Sequence, residues 1–525
     1  MLLNQGTDRS YIMRIEQKSH VKNSIGRLMF AVLSVFLQIV WFFVLVFRLN
    51  AYSAKISIVI SLLAVAVVVL MFRRDVNSSF KMSWTIVILA FPIFGLGIYF
   101  LLGRPDTTKG MRQRFDAIDS VLYARLNQSA EVFEEIKADD IAIANQCRYI
   151  SDFAKCPVYK NTDVEYHPEA SIGFDEIIKA VAKAKKFIFM EYHAIEDEES
   201  FKRLHDVLVK KAKEGVEVRI LYDDMGSIFF INKDFISKME ADGIKCMAFN
   251  PVVPALRLFM NNRDHRKITV IDGEIAFTGG YNLANEYFNI VSPYGYWKDT
   301  GIRIQGDAVR SFTVMFLSMW NSTVRYDVDF EKYLIPSEYK AKENGFVQPY
   351  ADSPLDFERT GENVYLNLIN NAKNYLYIMT PYLIITDEMT RAISLAAKRG
   401  VDVRIITPGI PDKKLVYKIT RSYYSGLVRN GVKVFEYKPG FTHGKMCIAD
   451  DVIATVGTIN FDYRSLYHHF ENGCLLYKCD AIKDIKADFE DTFSKCVDVT
   501  PFYNRTSRKA LKASECIYRL FAPML

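Results

Sequence analysis

Apolar positions crowd the first fifth of this chain and then thin into short alternating runs. Three stretches, at about 29–48, 56–72 and 82–103, carry no charge except Arg48 at the end of the first, with Gln38 a lone strongly polar member. Each has the length needed to cross a hydrocarbon core of ~30 Å. Arg48, Lys55, Arg73, Arg74, Lys81 and Arg104 flank them, and Trp41, Trp84 and Tyr99 suit the membrane–water interface. The pattern predicts three transmembrane helices rather than buried core helices. The first run also follows a basic leader and precedes the signal-like Ala51–Ala54 stretch. Its apolar part exceeds a typical signal core, so a retained anchor is expected. The basic leader and the Arg73-Arg74-Lys81 loop outweigh the Arg48-Lys55 loop. That bias puts the N-terminus inside and, with three crossings, everything after Arg104 on the outer face.

After residue 104 the period changes. Residues 105–145 are polar with helical spacing and read as a connector. Beyond them one order of elements occurs twice. A strand at 184–190, a helix closing at Gly215 and a strand at 216–221 are matched by a strand at 372–378, a helix closing at Gly400 and a strand at 401–406. Both glycines stand where a helix C-cap calls for a left-handed residue. Continuous β-branched runs alternating with helices predict a parallel or mixed sheet covered on both faces. The expected organisation is an anchor (1–104), a connector (105–145) and two α/β halves (146–335 and 336–525).

The two halves also share a chemical pattern, HxKxxxxD. It is His265-Arg266-Lys267 with Asp272, and His443-Gly444-Lys445 with Asp450, 178 residues later. Six residues after each Asp comes a small pair, one further residue and an Asn: Gly279-Gly280-Tyr281-Asn282 and Gly457-Thr458-Ile459-Asn460. Strand alternation sends His and Lys to one side. Each strand then turns at its Asp and returns, which brings the Asn back beside the His.

The net charge of +6 over 525 residues lacks the concentrated basic patch of a nucleic-acid binder, and no nucleic-acid partner is expected. The eight cysteines show no zinc-ligand spacing, and Cys474 and Cys479 read as core thiols.

These motifs resemble the phospholipase D superfamily, in which two HxKxxxxD motifs form one active site between pseudo-symmetric halves. The likeness to bacterial cardiolipin synthases covers nearly the whole chain. It includes Trp84, Pro92, Gly95, Tyr99 and Gly103-Arg104, then Glu191-Tyr192, Tyr222-Asp223-Asp224-Met225-Gly226-Ser227, Trp297-Lys298-Asp299-Thr300, Thr380-Pro381-Tyr382, Tyr437-Lys438-Pro439-Gly440-Phe441 and the closing Arg519–Leu525. Thr458 stands where the family usually has Ser, and His469 where many members carry Asn.

The resemblance implies two phospholipase-D-like α/β sandwich halves sharing one site, and a multi-pass protein of the bacterial cell membrane. The implied reaction moves a phosphatidyl group from one phosphatidylglycerol to another, giving cardiolipin and glycerol through a phosphatidyl-histidine. His265 is then the nucleophile and His443 the acid/base, an order that spacing alone leaves open. Lys267, Lys445, Asn282 and Asn460 would hold the phosphate oxygens, with Thr458 as a further donor. Asp299 and Glu471, 34 and 28 residues beyond their motif histidines, would orient the imidazoles. Asp272 and Asp450, counted with His265, Lys267, His443 and Lys445 among the catalytic motif residues, would brace the motif more than touch substrate. His193, His205 and His468 read as structural. Such chemistry requires no metal or other cofactor. A hydrolase with water as acceptor, a nuclease and a non-catalytic lipid scaffold are the alternatives. The apolar loop at 251–260 reads as packing, and the basic-apolar C-terminus (Arg505, Arg508, Lys509, Lys512, Arg519) suits either packing or an anionic membrane surface.

Overall fold

The computed structural model describes residues 54–74, 76–103, 109–252, 262–324, 327, 329–504 and 513–524, with scattered residues between 29 and 44. Strands in the first half are β1 (Thr162–His167), β2 (Phe187–Tyr192), β3 (Glu217–Asp223), β4 (Lys245–Phe249), β5 (Arg263–Asp264), β6 (Lys267–Ile271), β7 (Ile275–Gly279), β8 (Tyr296–Lys298) and β9 (Gly301–Gly306). The second half contributes β10 (Phe346–Asp352), β11 (Tyr375–Met379), β12 (Leu383–Ile384), β13 (Asp402–Pro408), β14 (Lys433–Tyr437), β15 (Gly440–Thr442), β16 (Met446–Ala449), β17 (Ile453–Gly457), β18 (Phe461–Asp462), β19 (His469–Tyr477) and β20 (Cys496–Asp498).

The two large sheets repeat one order. The first runs β1-β9-β7-β6-β2-β3-β4, and the second β10-β19-β17-β16-β11-β13-β14 with β20 added at its edge. In each, three parallel strands adjoin the antiparallel motif hairpin. The sheets are therefore mixed, as their buried apolar runs predict. Gly215 and Gly400 close their helices with φ of +90° and +96°, the conformation expected of them.

Asp272 and Asp450 explain the last letter of the motif. Both sit in the left-handed region, with φ of +55° and +57°, at the turn after the motif strand. The Asp272 carboxylate accepts the backbone N–H groups of Lys185, Lys186 and Phe187 at 2.7–2.9 Å. Asp450 does the same for Lys373, Asn374 and Tyr375. Each carboxylate thus pins the start of the neighbouring central strand to the motif hairpin. A strand length of about 16 Å separates it from the histidine, so these two residues brace the fold and stand apart from the reacting groups.

The halves join through one core. Helix Val309–Thr323 is buried along almost its full length, and its Phe312, Phe316 and Trp320 belong to the same apolar cluster as Phe189 and Ile268 of the first sheet and Ile378 and Ile448 of the second. The connector is largely helical from Lys109 to Asn145, as its spacing predicts, yet it is packed into this body rather than bridging to it. Phe115 is buried and stacks on Phe470 at 4.9 Å.

The apolar N-terminal region departs from expectation. A helix covers Ala54–Phe72, the stretch of the second expected span. The third, at 82–103, forms two helices, Ser78–Ala90 and Pro92–Leu102. Pro92 cannot continue a helix, and at Phe91 the chain folds back so tightly that a Cβ on Gly95 would overlap Val87 backbone. These helices are about 20 and 16 Å long at 1.5 Å per residue, each short of ~30 Å. Among the described residues no helix is long and apolar enough to cross a membrane. The outer-face argument needed three crossings and is left without support. The first expected span falls mostly outside the described residues, as do Arg505, Arg508, Lys509, Lys512 and the loop at 253–260.

The C-terminus reaches back to this hairpin. Ser83 Oγ donates to Leu520 O at 2.5 Å, Met524 packs on the hairpin's apolar cluster, and the Arg519 guanidinium lies 4.2 Å from the Tyr423 ring centre. All eight cysteines are free thiols.

Replacing Asp272 with Ala leaves three backbone donors without their acceptor. The expected cost is about 1–3 kcal/mol, read as a lower unfolding midpoint, with Asp450→Ala behaving alike. An unchanged midpoint in both variants would refute the bracing role.

Candidate active site

Two short sheets stitch the halves together, and each delivers one motif histidine. β5 pairs in parallel with the start of β19, and the His265 N–H donates to Phe470 O at 2.9 Å. β8 pairs in parallel with β15, and the His443 N–H donates to Lys298 O at 2.7 Å. Each histidine is therefore held at its backbone by the opposite half.

The side chains cross in the same way. His265 Nδ1 lies 2.9 Å from both carboxylate oxygens of Glu471. His443 Nδ1 lies 2.6 Å from Asp299 Oδ2. Glu471 follows His443 in sequence and Asp299 follows His265, so pairing within each half was the expected arrangement. The structure swaps the partners, because β19 and the β8–β9 segment run across the interface beside the other half's motif. A carboxylate can only accept, so each Nδ1 carries the proton and each Nε2 keeps its lone pair.

Both carboxylates are fully buried and supported. Thr458 donates to Glu471 Oε2 at 2.5 Å and also contacts Asn472 O at 3.1 Å. Its single hydroxyl hydrogen is thus spent on Glu471, which corrects its expected role as a phosphate donor. Asp299 Oδ1 accepts the Thr300 N–H at 2.9 Å. Gly280 is small for a steric reason: a Cβ there would overlap that carboxylate.

Lys267 and Lys445 are buried beside their histidines, each Nζ donating to the carbonyl of its own motif His at 2.5 Å. Burial pulls both ammonium groups down, to about 8 for Lys267 and about 7 for Lys445, against opposing pulls from Glu471 and Asp299. Lys267 further lowers Lys445, so the two motif lysines share one electrostatic site. Burial and then Lys267 hold the His265 imidazole well below its usual value. His443 is lowered to about 4 by burial and Lys445, with Asp299 acting in the opposite direction. In the free site both rings are neutral near pH 7.

The asparagines differ. Asn282 accepts from the Ala194 N–H at 3.1 Å and donates one amide hydrogen to Tyr287 OH at 2.7 Å, leaving one hydrogen. Asn460 is buried with Oδ1 unpaired. The structure brings together His265, Lys267, Asn282, Asp299, His443, Lys445, Asn460 and Glu471, with Thr458 behind them. It leaves Asp272 and Asp450 at the far ends of their strands.

Several neighbours escape a reading of the motifs. The Trp297, Tyr287 and Phe441 rings surround His443 with centroids 5.3, 5.5 and 5.8 Å away. Lys298 is buried in a 2.7 Å pair with Asp488. His193, expected to be merely structural, lies 5.0 Å from His265 by ring centroids, its Nδ1 2.7 Å from Asp264 O. Its place directly after the buried strand β2 is the signal that could have revealed it. His205 stays apart, 3.1 Å from Asp242.

Residues 177–320 and 365–493 match the family model described as cardiolipin synthase, PLD-like domain, and residues 59–104 match that described as Phospholipase_D-nuclease N-terminal. An uncharacterized protein of Streptococcus mutans is 43% identical, over 84% of this chain and 96% of its own. A cardiolipin synthase of Alkalihalophilus pseudofirmus is 31% identical, over 90% of this chain and 94% of its own. The fold is also that of a phosphatidylserine synthase from Haemophilus influenzae, with TM-score 0.54 and 16% identity over 72% of this chain and 97% of that one. By sequence over most of its length and by a duplicated fold with one site at the seam, the chain belongs to the cardiolipin synthase family of phospholipase-D-like proteins.

Proposed function

We propose that the crossed site transfers a phosphatidyl group from one phosphatidylglycerol to a second, releasing glycerol and forming cardiolipin. The observation that carries this reading is the pair of imidazoles, each tied through Nδ1 to a carboxylate of the opposite half, around two buried lysines. Membership of the family makes the chain a phosphatidyltransferase.

His265 Nε2 attacks phosphorus as the bond from phosphorus to the glycerol oxygen breaks. His443, as imidazolium, gives that oxygen its proton. The primary hydroxyl of the second phosphatidylglycerol then loses its proton to His443 and attacks phosphorus. The P–N bond breaks, and His265 returns neutral. Lys267, Lys445, Asn282 and Asn460 bind the non-bridging oxygens, where charge must be held in the transition state. An arriving anion favours protonation of the nearby imidazole. The balance of fields supports placing that proton on His443: Asp299 opposes its depression, whereas the leading influences on His265 all lower it.

A lipid substrate is supported by the exposed apolar side chains of the N-terminal helices, among them Leu62, Val69, Phe72, Leu89 and Phe91, and by the match of residues 59–104 to the family's N-terminal segment. These features support association with a bacterial membrane.

Purified protein given phosphatidylglycerol vesicles without added metal should yield cardiolipin and glycerol by mass spectrometry, and His265→Ala should abolish both. Phosphatidic acid in place of cardiolipin would establish the hydrolase reading instead. Protein denatured during turnover at alkaline pH should carry a phosphatidyl adduct on the peptide containing His265. An adduct on His443 alone would reverse the two roles.

The lysines give a pH signature. Their cationic forms decline as pH rises through about 7 and about 8. Glycerophosphoglycerol, whose single negative charge is constant there, should bind more weakly as pH rises through that window, and binding should take up protons. Calorimetry in buffers of different ionisation enthalpy reads both effects. Affinity independent of pH would exclude the lysines as the phosphate-holding charges.

A further inference from the structure

The two corners of the site are built differently. Aromatic rings enclose His443, whereas two more imidazoles flank His265: His193 at 5.0 Å and His469 at 5.4 Å between ring centroids. His193 is engaged through Nδ1 with the Asp264 carbonyl oxygen. His469 has no comparable tie. Its side chain is 11% exposed, both ring nitrogens are buried and neither makes a hydrogen bond. Its Nδ1 stands 3.6 Å from Glu471 Oε1. A buried polar group left unsatisfied calls for an explanation. One nitrogen of His265, one of His469 and one carboxylate oxygen of Glu471 all lie within 4.8 Å of one another.

We infer that His265, His469 and Glu471 form an inhibitory binding site for a divalent transition-metal cation of the zinc type. Two imidazoles and a carboxylate are a donor set that zinc takes, with metal–ligand distances of about 2.0–2.2 Å and a fourth position left open. The pair His265 Nδ1–Glu471 at 2.9 Å is already near the spacing of two ligands on one such ion, and a small rotation of His469 closes the third side. Magnesium and calcium prefer shells of oxygen and fit this corner poorly. Lys267 opposes a second cation nearby, so the site holds its ion reversibly.

The consequence follows from the electron count of imidazole. A neutral ring has one nitrogen lone pair in its plane, the one that must attack phosphorus. A cation on Nε2 occupies that pair directly. A cation on Nδ1 takes the nitrogen now holding the proton, and the neutral ring then carries its proton on Nε2. Either way no P–N bond forms until the metal leaves. The side chain at position 469 sets this sensitivity, since Asn in its place would supply no imidazole.

The inhibition half of this inference rests on the transfer reading, and the binding half does not. The test compares full-length wild type with His469→Asn. Zinc is titrated into detergent-solubilised protein, bound metal is counted by plasma mass spectrometry, and cardiolipin formation is followed in parallel. Wild type should hold one more zinc ion per chain than the variant, lose activity as that ion binds, and regain it with a chelator. Metal-free His469→Asn should remain active and require on the order of tenfold more zinc or greater for half-inhibition. Magnesium should not substitute. Equal zinc binding in the two proteins would overturn the site, and zinc bound through His469 with undiminished turnover would overturn the inhibition. Zinc bound as expected by protein that never forms cardiolipin would sustain the metal site while sinking the transfer reading.

Discussion

The crossed hydrogen bonds between His265 and Glu471 and between His443 and Asp299 are the constraint on which the rest of the structure depends. Neither half contains both a motif histidine and the carboxylate that holds it. An isolated half would present an imidazole without the acceptor that fixes its tautomer and a buried carboxylate without its donor. Docking is therefore part of building the site. The small sheets β5–β19 and β8–β15 set the register of that docking, because each ends one residue from the histidine it delivers. The helix Val309–Thr323 fills the space between the large sheets and holds their separation. Such over-determination matters for a displacement at phosphorus, since attack and departure occur on opposite sides and both imidazoles must be placed at once.

Electrostatics supply the second layer. Two lysines and two histidines are buried with two carboxylates, and burial is the largest influence on each of the four basic groups. Removing an ammonium group from water is costly, and its partial discharge near neutral pH is the visible sign of that cost. In the proposed reaction an entering phosphodiester would supply negative charge and restore the cationic form. The unfavourable self-energy of these buried charges is what a bound anion would relieve.

Much of this was legible in the chain because it is local. The two-residue spacing of His and Lys, the turn at Asp and the helix-closing Gly215 and Gly400 each follow from strand alternation or backbone conformation within a few residues. The role of Asp272 and Asp450 was also readable, since an Asp in a tight turn past an apolar strand has nearby backbone to bind. The exchange of carboxylates was not, because sequence separation suggests a partner in the same half while the interface decides it. Thr458 misled for the same reason: a hydroxyl beside an expected phosphate looks like a phosphate donor until Glu471 is placed next to it. The apolar stretch at 82–103 has one composition whether it crosses a bilayer or folds back. Pro92 and Gly95 were in view, but the close approach of Gly95 to Val87 shows only in three dimensions.

That hairpin is fastened to the body that holds the site. Asn77 donates to Tyr467 OH at 3.3 Å, and Phe80 lies 6.5 Å from the His468 ring. The next residues along the chain are His469, beside His265, and then β19 with Glu471. From the other side, the C-terminal helix Ala513–Phe521 packs on the helix spanning Lys414–Val428 and against the hairpin through Leu520. The apolar helices are thus fastened at two points to the catalytic half that supplies Glu471 and His443. A flexible tether would let the cleft sample every angle to the lipid surface. A docked hairpin removes most of that freedom, so the entropy of orienting the cleft is lost once, on folding, rather than at each turnover. In the proposed transfer, donor and acceptor would both diffuse in one plane, and a cleft fixed to the apolar hairpin would receive the second lipid's hydroxyl along the route the first lipid used.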